Sequence, residues 1–221
     1  MVAADDEQLD RLREFWAQYG KALMLGLAVG ATLLASWFGW QTWQARQQTD
    51  AALAFHQIEQ LSAAHQPQQA IEAARKLAAD HSGTVYAALA LLVGAHESMG
   101  QNDPTKAAIY LQKIIDQTKE PALVAVARLR LARVEWAQNK PDAALATLKT
   151  QTPPASFVPL YDELTGDIEA SQKHWAAARS AYEQALAGPG ADTAFIRIKL
   201  DNLPAQEKSS ASAPSTEKSP S

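Results

Sequence analysis

Four stretches of sequence decide the fold of this chain, and each has the apolar spacing of an amphipathic helix. They are QQAIEAARKLAAD (68–80), TKAAIYLQKIID (105–116), DAALATLKTQ (142–151) and AAARSAYEQALAG (176–188). Each contains one alanine at the same place in its pattern, namely Ala70, Ala107, Ala144 and Ala178. Successive alanines of this set are roughly 34–37 residues apart, and regular spacing of this length predicts a repeated structural unit.

Another helical segment precedes each stretch, so the predicted unit is a pair of helices joined by a turn. Tetratricopeptide repeats have a period of about 34 residues, and slightly longer helices or turns accommodate longer intervals. We therefore expect an all-α fold over residues 50–203, a tetratricopeptide-like α-solenoid of about four helix pairs plus a capping helix. The first helices of the pairs are predicted at 51–64, 85–99, 122–138 and 157–171, and the capping helix at 191–202.

Small and aromatic residues in the last pair have the spacing of a tetratricopeptide unit. Its small–small–aromatic–small positions are Gly166, Ala178, Tyr182 and Ala185. Small residues are expected where the two helices of a pair cross, because a larger side chain would force the backbones apart. In the second pair, Gly94 is one residue out of step with Ala107.

A long uncharged run near the N-terminus predicts a transmembrane helix. No charged residue occurs from Ala22 to Ala45, and residues 22–43 read ALMLGLAVGATLLASWFGWQTW. About 20 apolar residues suffice to cross the hydrocarbon core of a bilayer. A buried soluble helix is disfavoured because the run lacks a polar stripe. A cleaved signal peptide is disfavoured because its apolar region would be shorter, about 7–15 residues.

Residues that flank the run predict its orientation and its contacts. Arg11, Arg13 and Lys21 precede it, whereas Arg46 alone follows it before Arg75, so residues 1–21 are expected in the cytoplasm. The tryptophans at its end, which prefer the membrane–water interface, are Trp37, Trp40 and Trp43. Gly26 and Gly30 would let another membrane helix approach closely, although glycine is also simply common in such helices.

Composition and motifs disfavour several classes of function. The net charge is −4 and the basic residues form no cluster, which disfavours nucleic-acid binding. The chain has no cysteine, no pair of its five histidines is spaced three or four residues apart, and no phosphate-loop or hydrolase motif occurs. We therefore expect no enzyme activity, no cofactor and no metal. The polar tail at 204–221 is expected to be disordered.

The first helices of the repeat are expected to form a concave face that binds partner polypeptides. Gly94, Ala132 and Gly166 set the register of this prediction. The predicted inward residues are Leu91, Met99, Leu129, Arg133, Trp136, Glu163 and Asp167. Trp136 has a second interpretation as a core residue.

Several segments resemble the ancillary SecYEG translocon subunit family (YfgM-like) over residues 8–203. They are KALMLGLAVG (21–30), GWQTW (39–43), AVARLRLARVEWAQNKPDAALATL (125–148) and IRIKLDNL (196–203). The resemblance implies a bacterial inner-membrane protein with a tetratricopeptide-like periplasmic domain that works with secreted clients. It also implies association with translocon membrane subunits and with a membrane-anchored periplasmic prolyl-isomerase-like chaperone. The alternative function is an envelope scaffold for division or cell-wall assembly, which would use the same repeat surface.

Overall fold

The computed structural model describes residues 3–190 and 192–204, without the side chains of residues 3–15, 17–20, 22 and 23. The chain divides into two compact units, one ending at Ala52 and one beginning at Leu53. Helix α1 (Ala3–Ala63) makes up the described part of the first unit, and its residues from Leu53 onward belong to the second. Apart from Pro204, the predicted tail lies outside the described residues.

The second unit is a succession of helix pairs, and within the described ranges it contains no strand. The end of α1 pairs with α2 (Pro67–Asp80), α3 (Val85–Gly100) with α4 (Pro104–Gln117), α5 (Pro121–Ala137) with α6 (Pro141–Lys149), and α7 (Val158–Ser171) with α8 (Trp175–Ala187). A short 3₁₀ helix (Ala155–Phe157) precedes α7, and α9 (Thr193–Asp201) packs on α8. The predicted all-α, tetratricopeptide-like solenoid is confirmed.

The turn inside each helix pair has the same backbone geometry. One residue in each turn is left-handed, with φ between 54° and 65°: His65, Asn102, Asn139 and Lys173. In the second turn, the N–H of Asn102 donates to the carbonyl of Met99 and that of Asp103 to Ser98, both at 2.9 Å. The same two bonds recur in the other three turns, and they satisfy carbonyls that the end of a helix leaves unpaired. Each left-handed residue stands five positions before the aligned alanine of its sequence repeat, so the turns recur with the same period.

Proline determines where most of the second helices begin. Pro67, Pro104 and Pro141 are the first residues of α2, α4 and α6. Proline suits this position because the N–H that it lacks would have no partner inside the helix. In α4, the side chain of Asp103 adds a cap by accepting the N–H of Lys106 at 2.9 Å.

Three successive apolar clusters form the core. The first joins the end of α1 to α2, α3, α4 and α5, and Ile58, Leu111 and Ile114 are almost fully buried in it. The second lies between α5, α6 and α7, where the hydroxyl of Tyr161 also donates to the carbonyl of Ala125 at 2.9 Å. The third contains Ile196 and covers the end of the stack with α9. Each cluster involves neighbouring helices, as expected of a solenoid.

Candidate functional site

The turns provide a register for comparing the first helices of the pairs. The residue six positions before the left-handed residue is Glu59 in α1, His96 in α3, Arg133 in α5 and Asp167 in α7. The residue three positions before it is Met99 in α3 and Trp136 in α5. The register based on Gly94 is therefore wrong by one residue in α3: the equivalent of Leu129 is Leu92, not Leu91.

Two of the seven predicted binding residues belong to the core. Leu91 is 2% exposed and Leu129 is 6% exposed, and each packs in an apolar cluster. Their prediction as groove residues is wrong, because neighbouring helices of the stack cover both side chains. Leu92, at the α3 position equivalent to Leu129, is buried as well.

Glu163 and Asp167 come together, and a lysine of α9 binds both of them. The Nζ of Lys199 donates to Oε1 of Glu163 at 2.6 Å and to Oδ2 of Asp167 at 2.7 Å. The other carboxylate oxygen of Asp167 accepts the hydroxyl of Tyr182 at 2.8 Å. The prediction that these carboxylates are available to a partner is corrected: both bind a residue of the same chain.

This cluster shifts the pKa values of its two proton donors. Burial by itself lowers the pKa of Lys199, but the hydrogen bonds and charges of Asp167 and Glu163 outweigh it, and the pKa is raised. Burial raises the pKa of Tyr182, and the hydrogen bond to Asp167 raises it further. At neutral pH both groups are protonated, so the ammonium group of Lys199 bridges the two acidic side chains and the phenol of Tyr182 donates to one of them.

Trp136 is half-buried, and its side chain contacts other helices of the stack. Its side chain packs against the second core cluster. The indole Nε1 donates to Oγ of Ser171 at 3.2 Å, which joins α5 to α7. These contacts favour the core interpretation of Trp136.

Met99 and Arg133 meet at one pocket, together with residues that the sequence did not single out. The pocket has a volume of about 210 Å³ and lies between α3, α4 and α5. His96 and Arg130 also line it. The sequence could have revealed His96 through the similar turns Asn102-Asp103-Pro104 and Asn139-Lys140-Pro141. When these turns are aligned, His96 occupies the same position as Arg133.

Two larger cavities share Gln151, Thr152 and Pro153 as lining residues and have volumes of about 500 and 460 Å³. They occur where α6 ends after 9 residues, whereas α4 has 14, so that an irregular segment replaces part of the helix. Arg128 holds this segment by donating to Oε1 of Gln151 at 2.8 Å. None of the predicted binding residues lines either cavity.

The described part of the chain has no group of three or more histidine, aspartate or glutamate residues placed to hold a metal ion. In the first unit, the predicted interface residues Trp37, Trp40 and Trp43 are exposed, and the rings of Trp40 and Trp43 lie 5.3 Å apart. A Cβ added at Gly26 or Gly30 would meet no atom within 4 Å. Over the residues that were described, no helix combines the length and the hydropathy needed to cross a membrane.

The fold and its repeated turns define a helical-repeat protein of the tetratricopeptide-like class. A family described as "Tetratricopeptide repeat-like domain" matches residues 13–205. Among its relatives is the ancillary SecYEG translocon subunit of Escherichia coli (strain K12), 33% identical over 90% of this chain and 96% of the relative. Proteins of the same name from Haemophilus influenzae and Neisseria gonorrhoeae are 29% and 30% identical, each over 90% of this chain and 97% of the relative. The chain belongs to the ancillary SecYEG translocon subunit family.

Proposed function

We propose that this chain is a non-enzymatic accessory subunit of the SecYEG translocon that binds polypeptides through its helical repeats. The observation that carries the proposal is similarity over nearly the full length of relatives that bear this name, with 96% of the Escherichia coli protein covered. The family match over residues 13–205 includes most of each unit of the chain. Loss of either unit would remove a part that these relatives share.

Residues 22–43 act as a membrane anchor in this proposal, with residues 1–21 in the cytoplasm and residues 50–203 in the periplasm. The support is the uncharged run in the sequence, including Ala22 and Leu23, whose side chains lie outside the described part. The hydroxyl groups of the run have partners within the helix. Thr32 donates to the carbonyl of Ala28, and Ser36 to that of Thr32, both at 2.8 Å. Such bonds reduce the cost of placing a hydroxyl in lipid.

The second unit of the chain, which contains the helix pairs, supplies the binding surface. The first helices of the pairs line that surface. Met99 and Arg133 are exposed there, whereas Leu91 and Leu129 support it from the core. Exposed methionine adapts to varied apolar partners, and arginine forms strong charge-assisted hydrogen bonds. The partners proposed are secreted clients and a membrane-anchored periplasmic prolyl-isomerase-like chaperone.

Affinity purification of the full-length chain from a detergent extract of membranes tests the proposed function. Translocon membrane subunits should be recovered, together with a periplasmic chaperone. Recovery of division or cell-wall proteins without translocon subunits would support the envelope scaffold instead. The chain carrying an unrelated transmembrane segment in place of residues 22–43 is the matched control for contacts made by the anchor.

Mass spectrometry of the purified native protein tests the anchor separately. Peptides from residues 1–21 should be recovered from the membrane fraction, because an anchor is not cleaved. A mature N-terminus at Ala35 or later would instead identify a signal peptide.

A further inference from the structure

The pocket between α3, α4 and α5 has an apolar floor. Ala95, Leu111 and Val134 form this floor and are at most 5% exposed, while Met99 lies at the edge and is 38% exposed. With a volume of about 210 Å³, the pocket is smaller than the roughly 300–1,000 Å³ of sites for whole small molecules. It suits one aliphatic or aromatic side chain of a larger partner.

The rim of this pocket is cationic and has no internal counter-charge. Arg130 and Arg133 are exposed, lie one helical turn apart on α5, and have no ion pair among the described residues. The exposed His96 faces them from α3. The adjacent acids Glu97 and Glu135 instead accept hydrogen bonds from hydroxyls on other helices, at 2.5 and 2.7 Å. The two guanidinium groups are therefore available to an external carboxylate.

The last helix pair of the same chain shows how a charged helical partner engages such a position. Asp167 is the α7 equivalent of Arg133, and Lys199 of α9 binds it with a side chain of opposite charge. Phe195, one turn before Lys199, lies under its ammonium group at 4.6 Å from the ring centre. Thus α9 binds α7 through a charged residue whose ammonium group also lies over an aromatic ring of α9. At Arg133 the charge is reversed and the position is open.

We propose that this pocket binds a polypeptide segment that carries a leucine- or phenylalanine-sized side chain beside an aspartate or glutamate. The apolar side chain packs on the floor and against Met99, and the carboxylate accepts hydrogen bonds from Arg133 and Arg130. This inference rests on the proposed polypeptide-binding function and specifies its ligand. An apolar segment without an acid leaves both arginines unpaired and binds more weakly.

Fluorescence anisotropy of two labelled peptides with the full-length protein in detergent tests this inference. One peptide contains Asp-Leu-Glu-Leu-Glu, and the matched peptide contains Asn-Leu-Gln-Leu-Gln. The acidic peptide should bind about tenfold more tightly, which corresponds to one charge-assisted interaction. The preference should disappear in the R130Q/R133Q variant, and it should persist in R197Q, which removes the charge of an exposed arginine on α9. M99A should weaken the binding of both peptides.

Three results would overturn the inference. They are equal binding of the two peptides, an unchanged preference in R130Q/R133Q, and loss of that preference in R197Q. Binding of phosphatidylglycerol vesicles that depends on Arg130 and Arg133, with no peptide preference, would identify a lipid headgroup as the occupant instead. Recovery of translocon subunits is measured on the same wild-type preparation. If these subunits are recovered but the two peptides bind equally, the pocket proposal alone is rejected. If they are not recovered, the proposed function is rejected.

Discussion

The ring of Tyr182 lies directly over Gly166, and a Cβ added to that glycine would come within 2.5 Å of two ring carbons. Gly94 with Tyr110, and Ala132 with Leu148, have the same separation in the sequence as Gly166 with Tyr182. Over Gly94 the ring of Tyr110 is farther away, at 3.4 Å from an added Cβ. Glycine is therefore required by packing in the last helix pair, but not in the second.

Replacing each glycine with alanine should give opposite results. Gly166→Ala should destabilise the protein by about 1–3 kcal/mol, because the buried ring of Tyr182 would have to move. Gly94→Ala should be neutral or stabilising, since the added methyl fits and alanine favours the helix by about 0.5–1 kcal/mol. Urea unfolding followed by circular dichroism measures both variants. Equal destabilisation of the two variants would contradict the packing difference.

Lys173 has a left-handed backbone conformation that favours glycine, with φ of 65°. Lys173→Gly should stabilise the repeat unit by roughly 1 kcal/mol, because the left-handed conformation is strained for other residues. The control is Gln138→Gly in the preceding turn, where φ is −78° and glycine brings only its entropy cost. A rise in melting temperature for the first variant and none for the second is expected. If both variants melt earlier, the strain argument fails.

The Lys199 cluster should make stability fall at alkaline pH. The folded-state pKa values of Lys199 and Tyr182 lie above the ordinary values of 10.5 and 10.0. Both groups thus hold their protons more tightly when folded, and their contribution is complete below about pH 10 and lost as pH rises through the folded-state pKa values. The unfolding free energy of wild type should decrease more steeply between pH 9 and about 11.5 than that of Lys199→Met/Tyr182→Phe. Parallel pH profiles would exclude this linkage.

Trp136 and Arg133 should separate stability from binding. Trp136→Ala should lower the unfolding free energy by about 2–3 kcal/mol, below the roughly 3–5 kcal/mol of a fully buried aromatic residue. Ser171→Ala, which removes the hydrogen-bond partner of the indole, should cost about 0.5–1.5 kcal/mol. Arg133→Ala should leave the melting temperature unchanged because its side chain is exposed. A stable Trp136→Ala variant would return Trp136 to the groove interpretation.

The glycine pair of the proposed anchor should be needed for contact with another membrane helix. Gly26→Leu/Gly30→Leu keeps the segment apolar but blocks close approach of helix backbones, so recovery of membrane partners should drop. Ala31→Leu/Ala35→Leu makes a matching change on the opposite helix face and should leave recovery unchanged. Membrane insertion of both variants, checked by carbonate extraction, should equal that of wild type. Equal recovery of membrane partners by the two double variants would contradict the predicted glycine contact.

The sequence by itself determined the repeat, because its signals are local. Helical apolar spacing, the regularly recurring alanines, and proline at the start of the second helices need only neighbouring residues to act. These signals predict the order and approximate bounds of the helices from 53 to 203. They also place Met99 and Arg133 among the exposed residues of the first helices.

Only the tertiary structure decided which predicted residues are available to a partner. Leu91 and Leu129 are covered by neighbouring helices, and the helical pattern marks them only as apolar. Glu163 and Asp167 are both bound by Lys199, which belongs to the capping helix α9 and is distant from them in the sequence. The physical reason is that burial and charge pairing depend on contacts between distant segments, whereas helix formation depends on neighbours. Packing of α9 beside α7 and α8 therefore closes one charged position, and Arg133 stays open.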